Sequence, residues 1–223
     1  MKDTILIRLE NPDKSEREKL YRLQFRAFAL EIGQHDPKKY PDEKIMSKVD
    51  IESIYLIAEY NGEIIAITSI TPPNSLQYSL ESSVPFEKLK PKLAYPMERN
   101  NTAEMRNFYV IPQYRRQFTN FAFYFYMIGI VYARFIGAKY VIGKNNSNSL
   151  RLSRRLASRE SGVIIQSGRV KYHVVYGETD NIIRSGFMGK MQDQIANELQ
   201  FTLIFCPEIE KSILSTQELK IKL

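Results

Sequence analysis

Residues 104–143 read EMRNFYVIPQYRRQFTNFAFYFYMIGIVYARFIGAKYVIG, and the order of polar and apolar stretches in them decides the fold. Residues 104–111 are rich in β-forming side chains. Residues 112–120 (PQYRRQFTN) read as a turn carrying two adjacent arginines, Arg115 and Arg116. From 118 to 136 the chain is almost wholly apolar, which predicts a helix that ends at Gly137. Tyr140-Val141-Ile142-Gly143 reads as a second short strand. A helix of that length between two strands is a crossover, so the strands should lie parallel in one sheet. A basic turn that opens a helix suits oxygen-rich anions, because free backbone N–H groups and the helix dipole point at them. The stretch is therefore a ligand-binding unit by its physics.

On the N-terminal side, residues 4–9 (TILIRL) predict a first strand and Asn11-Pro12-Asp13 a turn. Ser15 and Glu18 have capping-box spacing, and Leu20, Leu23, Ala27 and Phe28 follow at helical intervals, predicting an amphipathic helix over 16–32. Residues 33–53 read as a polar loop with a short helical turn. The clearest local signal is 54–71, two apolar runs meeting at Asn61-Gly62, a dipeptide that favours a type I′ hairpin. Pro72-Pro73 ends the second run, and 74–102 is a long irregular segment, a candidate lid or substrate loop. On the C-terminal side a helix is expected over 147–159, with Arg151, Arg154, Arg155 and Arg159 along one face. Residues 163–166, 172–176 and 201–205 are strand candidates, with a further helix across 188–199.

Bulk properties narrow the class. The chain has 223 residues, 43% hydrophobic and 26% charged, which suits one globular domain over 1–223. The apolar run at 118–136 is interrupted by Thr119, Asn120 and Arg134, so it reads as a buried helix and no transmembrane segment is expected. The N-terminus turns charged too early for a secretory signal, and a cytoplasmic location is the default. Cys206 is the single cysteine, which excludes an internal disulfide and a cysteine-rich metal site. His35 and His173 show no metal-ligand spacing, so no metal is expected. A net charge of +7 favours an anionic partner, whether a phosphorylated cofactor, an acidic carrier protein or nucleic acid.

Val110-x-Pro112-x-Tyr114-Arg115-Arg116, the apolar helix behind it, and Ala138-Lys139-Tyr140-Val141 resemble the donor-binding unit of the GNAT superfamily of N-acyltransferases. The segment from Leu20 through Arg26, Phe28, Glu31 and Gly33, with Glu104-x-Arg106, is similar to the autoinducer synthase and long-chain N-acyl amino acid synthase branch. The resemblance is strongest over 18–165, leaving 166–223 to complete the sheet or the acceptor side. It implies an α/β (α+β) fold, a mixed central sheet flanked by helices, with the βαβ acyl-donor unit at 104–143. It implies an acyl group, of medium or long chain, taken from acyl-CoA or from phosphopantetheine on acyl carrier protein and given to a primary amine. In the family the turn resembles R-x-x-G-x-G/A and holds pyrophosphate; here Val110, Arg115, Arg116, Gln117, Phe118, Thr119 and Asn120 occupy it, with larger residues at both glycine positions. The tyrosine that many acetyltransferases place after the second strand is absent from 147–160, so no general acid is visible.

Amide formation from a thioester needs an amine freed of its proton, a polarised carbonyl and a leaving thiolate. A strand backbone N–H within 105–110 suits the carbonyl. Glu104 is the candidate catalytic base. Glu31, Asp50 and Arg106 are candidates for holding the acceptor, Arg106 by pairing with a carboxylate. Phe108, Phe121 and Phe125 are candidates for an acyl slot, and the arginine row for docking a carrier protein. Each has a plainer reading as a strand-end charge, an ion pair, a core aromatic or a solvated helix face. The alternative function is a non-catalytic module on the same scaffold, or a basic nucleic-acid binder. Nucleic-acid binding is not expected, because the aromatics crowd an apolar helix instead of alternating with basic residues on strands.

Overall fold

The computed structural model describes residues 4–118, 120–185 and 200–205, the last in backbone course alone. Strand β1 (Thr4–Glu10) leads into helix α1 (Lys14–Phe25), which continues as a π-helical stretch, Arg26–Glu31. Short 3-10 turns at Pro37–Lys39 and Lys48–Asp50 precede the hairpin of β2 (Ile54–Tyr60) and β3 (Glu63–Thr71). Asn61 (φ 52°) and Gly62 (φ 80°) are both left-handed, as a type I′ turn requires. Between β3 and β4 (Thr102–Val110), the chain makes helix α2 (Phe86–Leu89) and several 3-10 turns. Helices α3 (Pro112–Gln117) and α4 (Phe121–Phe135) then lead to β5 (Tyr140–Asn145). Helix α5 (Ser147–Arg155), β6 (Arg159–Ser167), β7 (Val170–Glu178), α6 (Thr179–Arg184) and β8 (Gln200–Phe205) complete the order.

The eight strands form one mixed sheet in the order β6-β7-β5-β4-β3-β2-β1-β8. β4 and β5 are parallel, as the crossover required, and β8 runs parallel to β1. Helix α4, apolar on all sides, lies on one face. A Cβ at Gly129 would stand 2.7 Å from Met105 Cε of β4 and 3.9 Å from Ile70 Cδ1 of β3, so the helix backbone rests almost on the strands. Helix α1 covers the other face, where Gln24 Nε2 donates to the buried Tyr55 hydroxyl at 3.4 Å. No helix of the described residues is long and apolar enough to cross a membrane.

Several expectations change. Asp13, not Ser15, caps α1, its Oδ1 accepting from Glu16 N at 2.8 Å. The helix expected over 16–32 is α-helical only to Phe25; a bond from Ile32 N to Ala27 O (3.0 Å) widens its last turns. Residues 112–117 form a helix instead of a turn, started by Pro112 and fixed by Tyr114 stacked on Phe118 at 6.0 Å. Asn120, at φ 64°, then redirects the chain into α4. The segment 74–102 is not a free lid: Tyr78, Leu80, Phe86, Leu89 and Met97 are buried against Tyr140, Ile142 and Tyr176, a second core on the α1 side. Helix α5 stops at Arg155, so Arg159 belongs to β6 and the row of four arginines is broken. The helix expected at 188–199 lies outside the described residues.

Candidate active site

The site begins where two parallel strands part. β4 and β5 pair from Thr102↔Tyr140 to Met105↔Gly143 and no further. Gly143 permits this last rung, since a Cβ there would lie 2.6 Å from the Met105 carbonyl oxygen. On its other edge β4 slips register against β3 between Ile67 and Ser69, so that Asn107 and Phe108 together oppose Thr68. Asn107 takes a left-handed conformation (φ 54°). This is a β-bulge, which leaves backbone groups outside the ladder and bends the strand.

The gap opens into a cavity of about 960 Å³, a size that accommodates a substantial organic ligand. Its floor is 105–110 of β4 with Lys144 and Asn145 of β5, and the start of α5 forms one wall. Phe28, Glu31 and Ile32 form the opposite wall, while Ala122, Phe123 and Tyr126 bring the apolar side of α4. The roof closes where the β6–β7 turn meets the segment after the π-helical stretch. Gly168 (φ 58°) approaches so closely that a Cβ would stand 2.2 Å from the Gln34 carbonyl oxygen. Tyr172 Oη donates to Gln34 Oε1 at 2.6 Å beside it.

Glu31 is the sole acidic residue among the described lining residues, against six basic ones: Arg106, Arg115, Lys144, Arg155, Arg169 and Lys171. The interior therefore favours an anionic ligand. Tyr109 hydrogen-bonds the Glu31 carboxylate, and burial together with that contact holds its phenol well above the ordinary range. Arg115 lies over the Tyr109 ring at 5.3 Å and donates from Nε to the Val110 carbonyl at 2.5 Å.

Of the residues singled out for donor binding, Val110, Arg115 and Asn120 line the cavity. Arg116 and Gln117 face solvent, Phe118 is buried beside Tyr60, and Thr119 lies outside the described residues. Of the acyl-slot candidates Phe108 lines the cavity, whereas Phe121 and Phe125 sit behind it in the core, with Phe125 6.2 Å from Phe108. The lining aromatics of α4 are Phe123 and Tyr126, one step round the helix; a helix apolar on every side gives no phase by which to choose.

Glu31 and Arg106 both line the cavity, but Arg106 is already engaged. Its Nη2 pairs with Asp50, fully buried off the wall, and donates to Ser53 Oγ at 3.1 Å. Asp50 Oδ2 also accepts from Ser47 N at 2.6 Å, and Arg17 Nη1 donates to the Asp50 carbonyl at 2.7 Å. Glu104 is 1% exposed and does not line the cavity. Its carboxylate accepts from Ser79 N (2.6 Å), Ser79 Oγ (2.8 Å) and Leu80 N (2.9 Å). Burial raises its pKa above the ordinary range, opposed by Arg106 and those three donors. Ser79 itself lines the cavity, so Glu104 meets it through a hydroxyl.

Lys144 has no counterpart in the sequence reading. It is half-buried on the floor, with Nζ 5.5 Å from the centre of the Tyr172 ring, and burial pushes its ammonium down. A lysine at a strand end reads as solvated; only the parting of the strands reveals it. His35, given no role, also lines the cavity, with Nδ1 3.1 Å from Tyr40 Oη. Of the arginine row, Arg155 lines the cavity, Arg154 pairs with Glu160 and Arg159 lies over Tyr95.

No protein-family model matches the chain, and no curated protein matches it. Solved structures do. BjaI, a CoA-dependent acyl-homoserine lactone synthase solved with SAM and isopentyl-CoA, superposes with a TM-score of 0.68 at 15% identity, over 94% of this chain and 99% of that one. The acyl-homoserine lactone synthase LasI gives 0.62 at 13% identity, over 79% and 91%. FeeM, an N-acyl amino acid synthase from uncultured soil microbes, gives 0.61 at 13% identity, over 85% and 99%. At such identities the likeness speaks to architecture, and the conclusion is architectural: this chain has the fold of the autoinducer and N-acyl amino acid synthases, the branch its N-terminal and central motifs resemble.

Proposed function

We propose that residues 1–223 are a single N-acyltransferase domain that moves an acyl group from an acyl-CoA or acyl carrier protein thioester to a primary amine. The amine belongs to an amino acid, a small amine or a peptide side chain. The observation that carries this reading is the parting of β4 from β5 after Met105 and Gly143, beside the bulge at Asn107 and Phe108. A thioester carbonyl entering the gap meets backbone N–H groups outside the ladder, which stabilise the oxyanion of a tetrahedral intermediate. The acyl chain runs toward Phe108, Phe123 and Tyr126, and the phosphates of the donor lie toward the basic residues of the wall. Glu31 receives the acceptor ammonium. The acceptor ammonium first gives one proton to Glu104 through Ser79 Oγ, which already donates to that carboxylate, and the neutral amine then attacks. Collapse breaks the C–S bond, and the thiolate takes the second proton of the attacking nitrogen and leaves as the thiol. Such donors place the reaction in the cytoplasm. The solved complex of BjaI with an acyl-CoA supports the donor class.

The test is a thermal-shift panel with CoA, butyryl-CoA, octanoyl-CoA and octanoyl-acyl carrier protein, followed by thiol release with a panel of amines. A donor at a hundred times its dissociation constant adds about 2.7 kcal/mol, an easily read shift. No stabilisation by any thioester overturns the reading.

A further inference from the structure

The cavity holds a second amine besides any substrate's. Lys144 is the first residue of β5 beyond the last rung with β4, on the floor of the cavity that Arg106 also lines. Among the described residues no carboxylate forms an ion pair with it. Its Nζ rests over the Tyr172 ring, itself part of the cavity lining. A lysine held this way differs from Lys38, Lys39 and Lys92, which stand in solvent. Burial disfavours its charged form, and Arg106 pushes in the same direction against the opposing pull of Glu104. A desolvated lysine beside an electrophilic carbonyl is a nucleophile.

We infer that Lys144 is a self-acylation site, taking the acyl group from the donor thioester when no acceptor amine occupies the cavity. The inference rests on the donor reading above. Nζ, uncharged, attacks the thioester carbonyl; the C–N bond forms, the C–S bond breaks, and the Nζ proton leaves with the sulfur as a free thiol. No further reactant is needed. The product is an amide, which does not pass its acyl group on, so the acyl-lysine is a stopped enzyme and not an intermediate. It removes a cation and fills the gap between β4 and β5. An acceptor amine competes for the same thioester and protects the lysine, so the modification marks protein that has donor without acceptor.

The experiment is incubation of the full chain with octanoyl-CoA, without acceptor, followed by intact mass and tryptic mapping. The expected result is a single octanoyl group per chain, carried by residues 140–151 (YVIGKNNSNSLR) with the bond after Lys144 uncleaved. The adduct is lost in Lys144→Arg, while octanoyl-CoA still raises the melting temperature of that variant. The wild-type map decides the matter even if the variant folds poorly. Acyl groups spread over Lys38, Lys39 and Lys92, or no adduct on a chain that octanoyl-CoA stabilises, overturn the inference and leave the donor reading standing. Neither stabilisation nor adduct removes both.

Discussion

The buried pair of Asp50 and Arg106 gives the sharpest prediction. The two side chains are 0% and 4% exposed, so neither charge is screened by water. Asp50 serves Arg106 with one oxygen and Ser47 N with the other, and Arg106 Nε has no partner among the described residues. Asp50→Asn keeps the shape but replaces one acceptor by a donor, so it faces either the guanidinium or the Ser47 N–H donor to donor. Removing one partner of such a pair costs about 3–5 kcal/mol, because the remaining charge is left buried. In a chain of this length that lowers the melting temperature by about 6–20 °C. Urea denaturation of Asp50→Asn, Arg106→Met and the Asp50→Leu/Arg106→Met double variant is the assay. The double variant should cost far less than the sum of the single changes, since two apolar side chains leave nothing unpaired. A loss under about 1 kcal/mol in Asp50→Asn, the range of exposed pairs, refutes the reasoning.

Three further outcomes are expected. Gly143→Ala pushes a Cβ into the Met105 carbonyl, a backbone atom with nowhere to go; it should cost about 1–3 kcal/mol and abolish the donor-induced thermal shift, and an unchanged shift counts against the placement of the thioester. Gly129→Ala meets only the flexible end of Met105, and its helix-propensity gain of about 1 kcal/mol offsets the crowding. Stability should therefore change little, while Met105 moves toward the cavity and the shift with octanoyl-CoA falls relative to butyryl-CoA; equal loss for both thioesters speaks against an acyl slot beside Met105. Lys144 is held below its ordinary value of 10.5, so the unfolded chain binds that proton more tightly and the wild type gains stability as pH rises toward 10.5. Lys144→Met should accordingly raise the urea midpoint at neutral pH, with the advantage shrinking toward pH 10.5; a gap that widens with pH contradicts the direction of the shift.

Local chemistry made much of the architecture legible. Asn61-Gly62 dictates its hairpin through two left-handed residues, and the apolar span before Gly137 dictates the crossover that makes β4 and β5 parallel. What stayed hidden depends on long-range partners or on rare backbone conformations. Asn120 and Ala157 both take positive φ, at 64° and 55°, and by turning the chain they separate α3 from α4 and Arg159 from the helix before it. Nothing in a single sequence marks an alanine for that conformation. Pro112 with Tyr114 and Phe118 at helical spacing is the signal by which α3 could have been found, in a run that reads as a turn for its polar residues. Glu104 reads as a strand-end charge until Ser79 and Leu80, more than twenty residues earlier, supply its three hydrogen bonds. Lys144 reaches the site because β5 parts from β4 beside it, and Ser79 because Glu104 holds its turn against the strand.

The roof of the cavity has an evolutionary consequence. Its floor is hydrogen-bonded strand and buried helix, where a change of a single methyl group is felt. Its cover is a close approach of Gly168 to Gln34, with the Tyr172–Gln34 hydrogen bond beside it, between a hairpin and a loop that lie far apart in the chain. Both covering segments are connections, which accept insertions and deletions that strands do not. Lengthening either one resizes the chamber from above without disturbing the register of β4 and β5. The volume of the chamber is thus set by two short loops, while its floor is set by the register of the strands.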